Sequence, residues 1–212
     1  MTAGQHRAFA ELLPRYSIPS GYVGLNFNKM FGRCERIVVE IGFGDGTALL
    51  DMAGAHPTWG CVGVEVYRPG VGNLLLRLAD TGLSNVRIAV DDAVDVLRGR
   101  IPQESLDEVL ILFPDPWPKK RHHKRRLVQP PFVDLLVSRL RTGGRLRIAT
   151  DWADYAQHIV DVMDDEPRLR LVAGTNDLTL RPKDRPPTKY EQRGTELGHT
   201  VWDMTFEKTV TA

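Results

Sequence analysis

Apolar runs of strand length recur along the chain at Ile37 to Ile41, Cys61 to Val66, Val86 to Val90, Val109 to Phe113 and Leu146 to Ala149, and most are followed by a stretch with helical periodicity. Near-continuous, largely β-branched runs separated by helices are the pattern of a parallel sheet covered on both faces. A strand with one buried face would alternate apolar and polar residues instead. Helices are expected at Thr47 to Ala53, Val71 to Thr81, Ala93 to Gly99, Pro131 to Arg141 and Trp152 to Asp164. Two further apolar segments, Leu169 to Val172 and Val201 to Phe206, bring the strands to seven. The fold class that follows is α/β, a seven-stranded, mostly parallel sheet with helices on both faces.

Ahead of the first strand, residues 4 to 13 read as a short amphipathic helix stopped by Pro14, and Ser17 to Met30 as a Gly- and Asn-rich lead-in loop. The connection from Thr175 to Arg193 is long, and a loop of that length is uncommon unless it binds something. At 212 residues without an internal repeat, the chain is expected to form one domain, with the helix and lead-in loop over 1–30 and a substrate-binding loop over 174–195. No apolar run approaches the ~18 to 20 residues of a bilayer helix, and Glu11 and Arg15 stand where a signal peptide would be apolar. A cytoplasmic protein without membrane contact is the expectation, with a monomer slightly favoured. Cys34 and Cys61 form no CxxC pair, and the histidines show no ligand spacing with one another, so no metal is expected.

The first strand runs into Glu40-Ile-Gly-Phe-Gly-Asp-Gly46, which puts Gly42, Gly44 and Gly46 at its carboxyl end, where open α/β sheets bind ligands. A dinucleotide fingerprint needs its third glycine at position 47, which is Thr47, and no Gly-Lys-Ser/Thr phosphate loop is present. An acid followed by Gly-x-Gly-x-Gly suits a cofactor that carries an amino-acid moiety and an adenosine without a pyrophosphate, which points to S-adenosylmethionine. Glu65 ends the second strand, placed for the ribose hydroxyls, and Asp92 follows the third, placed for the adenine. Each acid alone reads equally well as an N-cap or a solvated turn residue, and the three in order carry the argument.

Charge is balanced overall, 28 basic against 27 acidic residues, but residues 119–126, Lys-Lys-Arg-His-His-Lys-Arg-Arg, hold six of the basic ones. That leaves 22 against 27 elsewhere, an acidic body with one cationic strip of the kind that meets phosphates. A bare charge run is more often solvated surface or a sorting signal. Here it follows Phe113-Pro-Asp-Pro-Trp117, where two prolines stiffen the turn that carries Asp115 and Trp117. A fixed carboxylate, an aromatic ring and a cationic strip on one loop describe an enzyme that modifies nucleic acid.

Five segments carry a closer likeness: Glu40 to Gly46, Gly63-Val-Glu-Val-Tyr-Arg-Pro-Gly-Val-Gly72, Phe113-Pro-Asp-Pro-Trp-Pro-Lys-Lys-Arg-His-His-Lys-Arg-Arg-Leu-Val-Gln-Pro130, Ala149-Thr-Asp-Trp152 and Thr188-Lys-Tyr-Glu-Gln-Arg-Gly194. In these the chain resembles the bacterial tRNA (guanine-N7)-methyltransferase family along nearly its whole length. The resemblance implies a Rossmann-like class I methyltransferase fold and methyl transfer from S-adenosylmethionine to a guanosine of the tRNA variable loop. It implies cofactor contacts from Glu40, Glu65, Asp92 and Asp115, with Asp115 also the catalytic residue. Lys119, Asp151, Thr188, Lys189, Tyr190 and Glu191 align with substrate-contacting positions, and Arg121, His122, His123, Lys124, Arg125 and Arg126 with an RNA-binding stretch. Family members usually carry further, often basic, residues upstream of the first residue here, and Tyr190 stands where Phe is frequent.

Guanine N7 is a lone pair without a proton, so this reaction needs no general base; it needs alignment and tolerance of the cation that forms on the purine. Three rivals remain at this level: a methyltransferase for an adenine amine, an NAD-dependent oxidoreductase, and an RNA-binding protein on a relict methyltransferase fold.

Overall fold

The structure, a computed structural model, describes residues 1–19, 24–172, 178–179, 181–182, 185–186, 188, 191, 194 and 198–210. Its strands are β1 (Arg36–Ile41), β2 (Trp59–Val64), β3 (Val86–Ala89), β4 (Leu106–Leu112), β5 (Leu140–Thr150), β6 (Leu169–Leu171) and β7 (Trp202–Lys208). They form one sheet in the order β3-β2-β1-β4-β5-β7-β6. The first five run parallel, and β7 is antiparallel to both β5 and β6. The order reverses between β1 and β4, and the crevice beyond the carboxyl ends of those two strands is where a sheet of this kind takes a ligand.

The apolar runs are continuous because successive residues face two cores. Val38 and Leu110 point to the layer formed by α1 (Ala3–Glu11), α4 (Thr47–Ala55) and α5 (Arg68–Thr81), through Ala8, Leu49 and Leu74. Val39, Val109 and Ile111 point to the layer of α6 (Ala93–Gly99), α7 (Pro130–Arg139) and α8 (Ala153–Asp164), through Val96, Leu136 and Ile159. The strand period of two therefore buries both faces.

Three expectations need correction. Pro14 does not end the helical region: α1 stops at Glu11, and Pro14 lies in the first turn of α2 (Leu13–Tyr16), where its missing N–H has no partner to lose. Residues 17–30 are not loop throughout. Ser17 bridges to Ile88, and Asn26 accepts from Lys29 N to cap α3 (Phe27–Phe31). Finally, α7 passes into β5 at Leu140 with no intervening loop, six residues ahead of the expected Leu146. Among the described residues no helix is long and apolar enough to cross a membrane.

Candidate active site

Strand β1 delivers the glycine loop to the crevice. Gly42, Gly44 and Gly46 all have positive φ, 72°, 57° and 78°, so the loop needs glycine at alternate positions to keep its path. The close approach behind it is tighter still, because a Cβ on Gly70 in α5 would stand 2.0 Å from the Gly44 carbonyl oxygen. The first turn of α5 thus packs on the loop's backbone, a contact only glycine at 70 permits.

Glu40 is 2% exposed, and its Oε2 has no hydrogen-bond partner among the described residues. Burial first, then the neighbouring Asp45 and Glu65 charges, push its carboxyl up to about 8. It borders a cavity of about 160 Å³ shared with Gly42, Gly44 and Thr188. A buried acid without a partner next to open space is what a ligand's cation would satisfy. The sign of its effect on stability follows from the raised value. Between the ordinary 4.5 and about 8 the unfolded chain has lost the proton and the folded one still holds it, so stability falls as pH rises through that window. Glu40→Gln is expected to be more stable than the parent, by a margin that widens to roughly a few kcal/mol from about pH 5 to about pH 9. Thermal unfolding of both proteins across that range checks it, and a constant difference would refute it.

Glu65, the first residue after β2, accepts from the backbone N–H of Gly44, Val66 and Tyr67, each at 2.8 Å. Its carboxylate ties the end of β2 to the glycine loop. Asp92 accepts from Val94 N at 2.8 Å and caps α6.

On the other side of the loop lies a cavity of about 640 Å³, bordered by Gly42, Gly44, Glu65, Asp115, Trp117 and Arg125. The Asp115 turn continues β4, whose pairing extends one residue through Phe113 N to Ala149 O at 2.7 Å. Phe113 and Trp117 have φ of 54° and 45°. Non-glycine residues in the left-handed region cost on the order of 1–3 kcal/mol each, and such strain gathers where a loop is held for function. The two strained residues bracket Pro114-Asp115-Pro116, so the exposed carboxylate stands on a turn fixed at both ends. The Arg125 guanidinium lies 4.9 Å from the Trp117 ring centroid, and His122 meets that ring edge-on at 5.8 Å.

The cationic strip forms a 3₁₀ helix, Lys120–Arg125. Lys119, Arg121, Lys124 and Arg125 are exposed, and His122 and His123 half-buried. Arg126 departs from the expected stretch. It is 3% exposed, donates to Pro116 O at 3.0 Å, pairs with Asp154 and sits 4.9 Å over the Tyr155 ring. Its hydrogen bond holds the Asp154 carboxyl below the usual range.

Asp151 follows β5, with His199 Nδ1 at 3.3 Å. Thr188 and Glu191 form a reciprocal pair: Glu191 N donates to Thr188 Oγ1 at 3.1 Å and Thr188 N to Glu191 Oε2 at 3.4 Å. Both Glu191 oxygens accept from Arg185, at 2.8 and 3.0 Å.

A family model described as "Putative methyltransferase" matches residues 34–204. A tRNA (guanine-N(7)-)-methyltransferase of Nitrosococcus oceani is 49% identical over 212 residues, covering 99% of this chain and 87% of the relative. The chain belongs to the tRNA (guanine-N7)-methyltransferase family. A second member, from Alcanivorax borkumensis, is 48% identical over 208 residues, 98% of this chain and 87% of its own. Among solved structures, the 16S rRNA methyltransferase KamB superposes with a TM-score of 0.63 at 15% identity, covering 87% of this chain and 93% of that one. At that identity the likeness concerns the fold, which is the class I methyltransferase fold.

In this methyltransferase the crevice gathers Glu40, Gly42, Gly44, Glu65, Asp115 and Thr188 around two adjoining cavities. Gly46 borders neither; its added Cβ would stand 2.7 Å from Leu74, so it shapes the turn into α4. Asp92 also lies outside both linings and has the capping role open to it from the start. Lys189 and Tyr190 fall outside the described residues. The sequence reading did not single out Gly70 or the Arg185–Asp203 pair; a glycine inside a helical stretch and an acid inside an apolar strand were the available signals.

Proposed function

We propose that this chain transfers a methyl group from S-adenosylmethionine to N7 of a guanosine in the tRNA variable loop, forming 7-methylguanosine. The observation that carries the reading is the pair of cavities meeting at Gly42 and Gly44, with a buried, unpartnered Glu40 on one side and the rigid Asp115 turn on the other. Bound S-adenosylmethionine supplies an electrophilic methyl on a sulfonium. Glu40 is suited to pair with its ammonium group, which would also draw the carboxyl into its ionised form. Glu65 supports the glycine loop and is assigned the ribose hydroxyls, and Asp92, which caps α6, is assigned the adenine.

Since N7 carries no proton, no residue is asked to remove one. Asp115 accepts from the guanine N1–H and exocyclic amine, which favours guanine over adenine, and its charge offsets the positive charge that develops on the ring. Asp151 and the pair Thr188 and Glu191 approach from the β5 and β7 side. Lys119, Arg121, Lys124 and Arg125 meet phosphates, with His122 and His123 beside them, and these contacts position the RNA without reading its sequence. Arg126 supports that strip from below through Pro116 and Asp154.

The chain incubated with methyl-labelled S-adenosylmethionine and unmodified tRNA transcripts is expected to yield 7-methylguanosine on digestion and mass spectrometry. A transcript with adenosine in place of the variable-loop guanosine is expected to accept no label. A methylated adenosine as product, or no transfer by a protein that binds the cofactor, would overturn the reading.

A further inference from the structure

The Arg185 side chain is 1% exposed, and it has been given no role beyond its contact with Glu191. Both of its terminal nitrogens donate hydrogen bonds, and Nε faces Asp203 as an ion pair without hydrogen-bond geometry. Nη2 donates to Asp203 Oδ2 at 2.9 Å, with Nε close against the other oxygen of the same carboxylate. Nη2 and Nη1 form a fork on Glu191, at 2.8 and 3.0 Å, and Nη1 also reaches Pro186 O at 3.2 Å. A guanidinium has five such donors in a fixed plane, whereas a lysine ammonium has three on one atom and cannot span two carboxylates side by side.

The two carboxylates belong to different parts of the site. Asp203 is part of β7, in register with Ala149 of β5, so it is fixed to the strand end that also carries Asp151. Glu191 is locked to Thr188 by their reciprocal hydrogen bonds, and Thr188 borders the cavity of Glu40. The guanidinium carbon also lies 6.0 Å from the Phe113 ring centroid, at the root of the Asp115 turn. A buried cluster of one cation and two anions costs much of its attraction in lost hydration, so it adds little to stability, while it fixes geometry well.

We propose that Arg185 is a positioning residue: anchored by Asp203, it holds Glu191 and through it Thr188 in place beside the Glu40 cavity. This rests on the reading of the crevice as the methyl-transfer site. Glu191 then acts as a link whose oxygens are taken up by Arg185, and contact with the guanine N–H donors falls to Asp115 and Asp151.

A double-variant cycle tests this with Arg185→Met, Glu191→Gln and both together, each characterised by thermal unfolding, S-adenosylmethionine titration and steady-state methylation of tRNA. Arg185→Met is expected to lower kcat about tenfold with tRNA affinity nearly unchanged, because the strip is untouched. Arg185→Lys is expected to restore little. If Arg185 works through Glu191, the double variant falls within about threefold of Arg185→Met alone. Losses that multiply across the two sites would overturn the link. Hydrogen exchange provides a readout independent of turnover. The Thr188 and Glu191 amides are expected to lose protection in Arg185→Met, and unchanged protection there would overturn the proposal even if the chain methylated a different acceptor. Should Arg185→Met not fold, Asp203→Asn with Glu191→Gln closes the same cycle. Failure of the parent to make 7-methylguanosine would count against the assigned reaction, and the exchange result would still decide the role of Arg185.

Discussion

Asp115→Ala is expected to lower kcat for tRNA methylation by at least about a hundredfold, with folding intact and S-adenosylmethionine binding retained within a few-fold. The size follows from what a fixed carboxylate does at a reaction that creates a cation. Removing one preorganised electrostatic partner of a transition state typically costs on the order of 3–4 kcal/mol. Asp115 is preorganised by the left-handed Phe113 and Trp117 and by the proline on each side, so little reorganisation is left to the moment of transfer. Asp115→Asn keeps the shape and one acceptor and loses the charge, and it is expected to fall between parent and alanine. Since its amide also offers N–H donors, discrimination against adenine is expected to weaken. A folded, cofactor-binding Asp115→Ala protein with turnover near the parent rate would sink the assignment of both orientation and charge to this residue.

The sheet was legible because its central strands are apolar on both faces, and Val38 and Val39 illustrate how adjacent residues enter opposite cores. The start of β5 was not, because Arg141-Thr-Gly-Gly has no strand pattern; it pairs with β4 only at Leu106 and Leu140 before a register shift. The glycine loop and the Asp115 turn were legible for a different reason: glycine and proline record backbone constraints directly in the sequence. Arg126 could not be separated from its neighbours in a charge run, since a run counts cations without giving the direction of each. The chain leaves the 3₁₀ helix at Arg126 in an extended conformation, ψ 135°, and the side chain turns in over Tyr155. The Arg185–Asp203 pair joins positions with no local relation. Its only trace is the alternation of Trp202, Met204 and Phe206 with Asp203, Thr205 and Glu207, which marks a polar face of β7 without naming its partner.

Neutralising Lys119, Arg121 and Arg125 together, with glutamine at each position, is expected to weaken tRNA binding on the order of a hundredfold at low salt and to flatten its salt dependence. Each phosphate contact releases condensed counterions, so the slope of log K against log salt changes by about 0.7 to 0.9 per contact, and three lost contacts reduce it by roughly 2 to 3. The difference from the parent should shrink as salt rises. Cofactor affinity is expected to change little, because none of the three borders the Glu40 cavity and Arg125, which borders the adjoining one, lies over the Trp117 ring. Arg126→Gln provides the contrast within the same run. Its guanidinium already serves Pro116 O and Asp154, so the variant is expected to lose stability, on the order of 2 kcal/mol, with a salt slope close to the parent's. The Asp154 carboxylate it leaves behind is largely solvated, which keeps that loss below the cost of stranding a buried charge. Filter binding across a salt series and thermal unfolding of the same proteins separate the two kinds of cation. An unchanged slope in the triple variant would refute the phosphate role of the strip, and a slope lowered by one contact in Arg126→Gln would return that residue to the RNA surface.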